Sequence, residues 1–187
     1  MKLINLYFMR HGESQANQDG LLAGASESPI THRGRLQVSQ AGHYLRGLDM
    51  HFDLIVSSPQ ARSLDTANAL AEIIGYPEER VVVLDSLSER AFGSYEGEST
   101  EDLSTTNDLV ISSTGGETEA QFMDRMTVCM DEIVNVSSSK QAKNVLIVSH
   151  SWVYRGLCAK VNNDYTTGDL SLRSRLKNAN ITYLAKI

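Results

Sequence analysis

Charged and ionisable side chains follow four separate apolar segments of this 187-residue chain. The segments cover residues 2–9, 52–58, 80–84 and 144–149. One histidine at the end of an apolar segment is usually structural, but four segments that end in arginine, histidine and glutamate indicate a shared site. The residues that follow the segments are Arg10, His11, Arg62, Glu89, Arg90 and His150.

These residue types suit the binding and transfer of a phosphoryl group. Guanidinium groups match phosphate oxygens in pairs and stay charged. A histidine among arginines stays neutral, because nearby positive charge disfavours its protonation, and neutral imidazole is a competent nucleophile. A carboxyl group, for which Glu89 is the candidate, can protonate the leaving oxygen and later activate water. Asn17 and Ser14 are candidate neutral donors, and Gly12 would let a ligand approach the backbone.

The chain lacks the residue spacings that are typical of metal sites and of nucleotide-binding loops. The sequence contains no His-x-x-x-His, no Cys-x-x-Cys and no acidic triplet of the magnesium type. It also has no Walker lysine. We therefore expect a site without metal or cofactor, in which arginines neutralise the phosphoryl charge.

Alternating strands and helices would position these residues. Besides the four apolar segments, NITYLAKI at 180–187 is predicted to be a strand. The predicted strands are almost continuously apolar and alternate with helices. This pattern predicts an α/β fold, a three-layer sandwich with a mostly parallel central sheet and helices on both faces. Ligands bind beyond the carboxyl ends of such strands, so the four ends should meet in one crevice. The predicted helices cover 32–48 after an N-cap at Thr31, 60–74 with a stop at Gly75, 119–136 and 151–161.

Composition narrows the class of protein. A net charge of -6 argues against non-specific binding to nucleic acid. No apolar run approaches the ~20 residues of a membrane span, and the N-terminus does not resemble a signal peptide. Cys129 and Cys158 lie in helical apolar patterns and are interpreted as buried, reduced thiols, which favours a cytoplasmic protein. We predict a single domain over 1–187, with a polar, acidic excursion at about 94–118.

An ordered set of sequence blocks resembles the histidine phosphatase superfamily, the phosphoglycerate-mutase-like clan. The resemblance implies that His11 is the nucleophile that becomes phosphohistidine and that Glu89 is the proton donor. It also implies a phosphate pocket completed by Arg10, Arg62 and His150, with a further contact from Asn17. The blocks are Arg10–Ser14, PITHRGRLQ at 29–37, SSPQARSLDTA at 57–67, LSERAFGSYEG at 87–97, GGET at 115–118 and VSHSWVYRGL at 148–157.

The sequence favours the phosphatase branch of this family, such as α-ribazole phosphatase-like enzymes, over its mutases. Mutases need basic side chains after the glutamate, but residues 91–124 contain no lysine or arginine and several acids. The acidic excursion gives a weak indication of a neutral or cationic leaving group. The expected partner is a small phosphorylated metabolite: a sugar phosphate, α-ribazole phosphate, phosphoglycerate or phosphoserine, with a phosphoprotein as another option. A mutase and a ligand-sensing pseudoenzyme remain alternatives, and a homodimer is possible.

Several further residues carry smaller predictions. Ser151 stands where many family members have glycine, and its backbone N–H is still available to substrate. Gly24 would contact substrate through its backbone or simply form a turn, and Arg90 would touch substrate or pair with a carboxylate. Trp152 is expected to pack against the sheet edge, with the crevice as the alternative. Solvent-exposed positions are predicted for Arg155, Arg173 and Arg175, and for His32, His43 and His51.

Overall fold

The computed structural model of the chain describes residues 3–100, 108–166, 170 and 176–187. Its strands are β1 (Asn5–Arg10), β2 (Leu54–Ser57), β3 (Val82–Val83), β4 (Asn144–Ser149) and β5 (Ile181–Lys186). They form one five-stranded sheet in the order β3-β2-β4-β1-β5. The first four strands run parallel, and β5 pairs antiparallel with β1 at one edge. The predicted mostly parallel sheet is confirmed.

Helices cover both faces of the sheet. They are α1 (Gln15–Asp19), α2 (His32–Gly47), α3 (Ala61–Ile74), α4 (Asp108–Ser113), α5 (Glu119–Ser139) and α6 (Ser151–Asn162). Short 3-10 helices occupy Glu78–Arg80, Asp85–Leu87 and Gly93–Tyr95.

Alternating strand residues build a hydrophobic core on each face. Leu6 and Phe8 of β1 belong to the core that α5 and α6 cover, whereas Met9 belongs to the core under α2 and α3. This alternation follows from the two-residue side-chain period of a strand. The predicted α/β architecture with helices on both faces is therefore confirmed.

The predicted helix boundaries at Thr31 and Gly75 are correct. Thr31 caps α2, because its Oγ1 accepts the backbone N–H of Gly34 at 2.9 Å. Gly75 ends α3 in the left-handed conformation, with φ of 74°. Thr118 caps α5 in the same way as Thr31 caps α2, and α5 continues to Ser139, three residues beyond the predicted end at 136.

One prediction from apolar pattern is wrong in its extent. The strand predicted over 80–84 shrinks to Val82–Val83 at the edge of the sheet, where Val83 is 44% exposed. In α2, three apolar residues point to solvent, since Leu36, Tyr44 and Leu48 are 52%, 68% and 57% exposed. Contacts with the sheet and α3 instead select the face that carries Val38 and Leu45.

Part of the predicted excursion packs over the carboxyl end of the sheet. Phe92 and Ile111 form a small third core with Leu22. Residues 101–107 of this excursion lie outside the described residues, as do Arg173 and Arg175. Both cysteines are free thiols, Cys129 buried and Cys158 half-buried. Among the helices described, none is long and apolar enough to cross a bilayer. The three histidines predicted at the surface, His32, His43 and His51, are exposed.

Candidate active site

The predicted residues converge at the carboxyl end of the sheet because their strands are neighbours. Arg10 pairs with Ser149 in the register of β1 and β4, and Ser57 pairs with Val148 in that of β2 and β4. The rings of His11 and His150 therefore contact each other, with centroids 5.1 Å apart. A cleft opens beside them, and its lining includes seven of the predicted site residues: Arg10, His11, Asn17, Gly24, Arg62, Glu89 and Ser151.

His11 is held as a neutral ring with a free nucleophilic nitrogen. Its Nδ1 lies 2.7 Å from the carbonyl oxygen of Gly12. A carbonyl oxygen can only accept, so Nδ1 carries the proton and Nε2 keeps its lone pair. Burial holds the pKa of His11 well below its usual value, and the charges of Arg10 and Arg62 lower this pKa further. Both effects keep the ring neutral, with a single proton on Nδ1.

Gly12 serves packing rather than ligand approach, which corrects the sequence-based interpretation. A Cβ at this position would lie 2.7 Å from the carbonyl oxygen of Gly34 in α2 and 2.8 Å from Ile30. The backbone N–H of Gly12 donates to Thr66 Oγ1 in α3 at 3.0 Å. The glycine thus lets β1 end close to α2 and α3, and this fixes the position of His11.

Arg10 and Arg62, which line the cleft near His11, also bind backbone carbonyls. Arg62 is buried and donates to the carbonyls of Gly24 and Ser26 at 2.7 and 2.8 Å. Arg10 donates to the carbonyl of Leu176 at 2.9 Å. Each guanidinium has five N–H donors, so both can bind phosphate oxygens as well.

Glu89 has the environment of a proton donor. Its Oε1 accepts the backbone N–H groups of Arg90 and Trp152, whereas Oε2 has one long contact of 3.4 Å to the latter. Burial raises the pKa of the Glu89 carboxyl, although Arg62 and these N–H groups lower it in part. A raised pKa keeps the carboxyl protonated closer to neutral pH, as a general acid requires.

Arg125 of α5 fixes the turn that presents Glu89, a role that sequence reasoning missed. Its guanidinium donates to the carbonyls of Ser86 and Ser88, both at 2.7 Å. A salt bridge of 2.7 Å to Glu117 orients this guanidinium. Gln60 completes the support, because its side chain accepts the backbone N–H of Glu89 at 2.8 Å.

His150 lies completely buried beside His11. Its Nε2 contacts Ser58 Oγ at 2.8 Å. The pKa of His150 is held well below its usual value, first by burial and then by the charge of Arg62. His150 is not in the described lining of the cleft, but it contacts His11, which is. We call Arg10, His11, Arg62 and Glu89, together with the buried His150, the floor of the cleft.

Two predicted substrate contacts lie outside the described lining of the cleft. Ser14 is fully buried and caps α1, where its Oγ accepts the backbone N–H of Asn17. Arg90 is also buried; its Nε donates to the carbonyl of Glu117, and its guanidinium stacks 4.6 Å from the ring centroid of Trp152. Local capping and aromatic stacking place these two side chains away from the cleft.

Asn178 is a further residue of the site, and no motif in the sequence points to it. Its Nδ2 donates to the carbonyl of His11 at 3.0 Å and to Asn17 Oδ1 at 2.9 Å. This bond orients the amide of Asn17, because its Oδ1 accepts from Asn178. The Nδ2 atom of Asn17 can then donate to a ligand.

The opposite side of the cleft, which we call the wall, consists of the 21–26 loop with Phe92, Trp152 and Arg155. Trp152 lines the cleft instead of packing against the sheet edge. Arg155 is 2% exposed rather than solvated, because its guanidinium lies 5.2 Å from the Trp152 ring centroid. Ser151 Oγ is buried and has no hydrogen-bond partner among the described residues.

Glu96 ties the 21–26 loop to the excursion. Its carboxylate accepts the backbone N–H groups of Ala25, Ser26 and Phe92 at 2.8–3.0 Å, and also the hydroxyl of Ser26. Gly24 sits in the left-handed region with φ of 52°, and a Cβ there would meet the same carboxylate at 2.4 Å. Glu98 is exposed. Neither acid is in the described lining of the cleft, which removes their support for a neutral or cationic leaving group.

No cluster of three or more histidine, cysteine or acidic side chains suited to a metal ion occurs in the part of the chain that the structure describes. The charged groups described along the cleft are Arg10, Arg62, Arg155 and Glu89.

Comparison with known proteins agrees with this geometry. The family model of the histidine phosphatase superfamily, branch 1, matches residues 6–185 of this chain. A broad-specificity phosphatase of Saccharomyces cerevisiae is 30% identical over 156 residues, which cover 82% of this chain and 68% of the yeast protein. The adenosylcobalamin/alpha-ribazole phosphatase of Escherichia coli is 30% identical over 168 residues, 84% of this chain and 79% of that protein. The crystal structure of the alpha-ribazole phosphatase from Shigella flexneri superposes with a TM-score of 0.76 at 28% identity, covering 95% of this chain and 88% of that one.

Proposed function

The chain belongs to the histidine phosphatase superfamily, branch 1, and on this basis we propose that it hydrolyses a small phosphomonoester through a phosphohistidine on His11. The observation that carries the proposal is the bond from His11 Nδ1 to the carbonyl of Gly12. It leaves Nε2 unprotonated in a cleft that Arg10, Arg62 and Glu89 also line. The phosphatase relatives support the same reaction class.

In the first step, His11 Nε2 attacks phosphorus and the bond from phosphorus to the ester oxygen breaks. Protonated Glu89 gives its proton to the departing oxygen, so the alcohol leaves neutral. Arg10 and Arg62 stabilise the charge on the phosphoryl oxygens. The N–H group at Nδ1 remains on the Gly12 carbonyl while the ring becomes phosphohistidine.

In the second step, the Glu89 carboxylate takes a proton from water, whose oxygen attacks phosphorus. The bond from phosphorus to Nε2 breaks, inorganic phosphate leaves, and His11 returns to its neutral form with Glu89 protonated again. No redox partner is consumed, and the proposed chemistry uses no metal.

We propose that Asn17 and Ser151 donate further hydrogen bonds to the phosphoryl group. Asn17 presents its amide Nδ2, and Ser151 presents a buried hydroxyl at the first turn of α6, a helix whose N-terminus favours negative charge. The wall would contact the leaving group. It is mostly apolar, with Leu21, Leu22 and Trp152, and it includes one cation, Arg155.

A mutase that returns the phosphoryl group to substrate is the second candidate, and Arg155 is the observation that favours it, because a buried cation on the wall suits an anionic substrate. The absence of lysine and arginine from residues 91–124 argues the other way. A sensing protein without turnover would bind phosphate but release none.

Phosphate release from a panel of monoesters in EDTA tests the proposal. The panel holds an aryl phosphate, sugar phosphates, 3-phosphoglycerate, phosphoserine and α-ribazole phosphate, with wild type compared to His11→Ala. We expect turnover of at least one member in EDTA and a fall to background in the variant. Equal activity in the two proteins would contradict His11 as nucleophile. Isomerisation of phosphoglycerate without phosphate release would favour the mutase.

A further inference from the structure

Ser58, at the carboxyl end of β2, contacts the second histidine of the cleft. Its Oγ lies 2.8 Å from His150 Nε2, and both residues are fully buried. Strand pairing sets this contact, because the backbone N–H of Ser58 donates to the carbonyl of Val148 at the end of β4. Ser58 has no role in the mechanism described above.

The direction of the contact follows from the placement of buried protons. A neutral imidazole has one N–H, so the bond between Nε2 and Oγ can carry its proton on either atom. Ser58 Oγ already accepts the backbone N–H of Gln60 at 3.3 Å. Among the described residues, the acceptor within reach of the Ser58 hydroxyl proton is His150 Nε2. A buried hydroxyl proton without an acceptor is costly, so Ser58 donates and Nε2 is unprotonated.

The other ring nitrogen of His150 must then carry the proton. Nδ1 is buried and has no hydrogen-bond partner in the described part of the chain. The ring contacts that of His11, where the phosphoryl group is to be held. A protonated Nδ1 can donate to a phosphoryl oxygen, whereas the other tautomer would present a lone pair to an anion.

We propose that Ser58 is a positioning residue, whose hydroxyl holds His150 in the Nδ1-protonated tautomer so that this ring donates a hydrogen bond to the phosphoryl group. The catalytic consequence rests on the proposed phosphatase function. The tautomer itself is a property of the folded protein and can be measured without a substrate.

Nitrogen NMR of protein labelled with 15N-histidine tests the proposal, on wild type, Ser58→Ala, Ser58→Thr and the control Ser63→Ala. Ser63 is equally buried and donates to the same Val148 carbonyl, at 2.8 Å, but it does not bond to His150. We expect wild type, Ser58→Thr and Ser63→Ala to show His150 protonated at Nδ1. Ser58→Ala should show a mixture of the two tautomers, while the His11 signals stay at their wild-type positions.

Steady-state kinetics on the same variants give the catalytic consequence. Loss of the Ser58 hydroxyl should lower kcat about tenfold, the size of one lost hydrogen bond, with a smaller change in KM. Ser58→Thr should restore kcat, and Ser63→Ala should keep it. A wild-type spectrum with His150 protonated at Nε2 would overturn the proposal, as would a Ser58→Ala variant with unchanged tautomer and kcat. Absence of turnover on every monoester would instead refute the phosphatase function, because the spectra decide the tautomer separately.

Discussion

The floor and the wall of the cleft are built by different means. The floor residues follow strands of one sheet, so hydrogen-bonded strand register places His11 and His150 side by side. The 21–26 loop of the wall belongs to none of the five described strands. Backbone bonds between Leu22 and the excursion hold it, together with the side chains of Glu96 and Arg62 that reach its backbone. This difference suggests that, in the proposed reaction, the sheet positions the reacting groups, while contacts of the loop shape the space for the leaving group.

Replacing the acid of the floor should give the largest effect among the three tests that follow. Glu89→Gln keeps the side-chain shape but removes the transferable proton, and general acid catalysis is worth roughly 10²–10⁴-fold in rate. We expect a loss of this size in kcat with an alkyl phosphate and a much smaller loss with an activated aryl phosphate, whose oxygen leaves without protonation. Steady-state kinetics with both substrates measure this ratio.

The exposed Glu98, on the excursion, gives the control for this test. Glu98→Gln removes one carboxylate near the cleft without touching the floor, so both substrates should be hydrolysed at the wild-type rate. Equal losses of kcat with the two substrates in Glu89→Gln would contradict its role as the acid.

Burial of the floor should also make stability depend on pH. His11 and His150 have lowered pKa values, so below about pH 6.5 the unfolded chain binds protons that the folded chain does not. Their contribution to stability is therefore lost as the pH falls. The raised pKa of Glu89 acts with the opposite sign, since its contribution is present at low pH and is lost as the pH rises through its folded-state value.

The two histidines lose their contribution to stability on acidification, and the single carboxyl gains one. We therefore expect a net loss of stability as the pH falls. We expect the free energy of unfolding to fall between pH 7 and pH 5, because in this range the unfolded chain takes up protons on the two histidines that the buried rings do not bind. Urea unfolding at several pH values measures this, and the His11→Asn/His150→Asn double variant should show a flatter dependence. An unchanged slope in that variant would assign the pH dependence to other groups.

The sequence carried enough information to predict the floor. His11, Glu89 and His150 each follow an apolar segment, and parallel strands bring their carboxyl ends to one edge of the sheet. The rule that ligands bind beyond the carboxyl ends of parallel strands does not depend on the length of a strand. The predicted convergence of these residues is therefore correct, even though β3 is only two residues long.

The wall and its supports depend on contacts that no local pattern encodes. Arg155 was expected in solvent, but stacking on Trp152 buries it. Asn178 lies more than 160 residues from Asn17 in sequence, and their hydrogen bond exists only because β5 runs back along β1. In α2 the burial of Val38, and not of Leu36, was decided by which side of the helix met α3 and the sheet.

Weakening the wall alone should give the smallest effect on activity. It also distinguishes the role of the wall from that of the floor, because it leaves the floor residues in place. Glu96→Gln replaces one acceptor oxygen with an NH₂ group that faces the N–H donors of the 21–26 loop, which should cost about 1–2 kcal/mol of stability. The 21–26 loop would then be held mainly through the bonds from Arg62 to the carbonyls of Gly24 and Ser26, while Arg62 itself stays at the start of α3 and the floor keeps its positions. We expect KM to rise about fivefold with kcat nearly unchanged, consistent with lost uniform binding, and Glu98→Gln to leave both constants at wild-type values. A fall in kcat as large as that of Glu89→Gln would mean that the loop acts as part of the floor, and that this wall takes part in the chemical step.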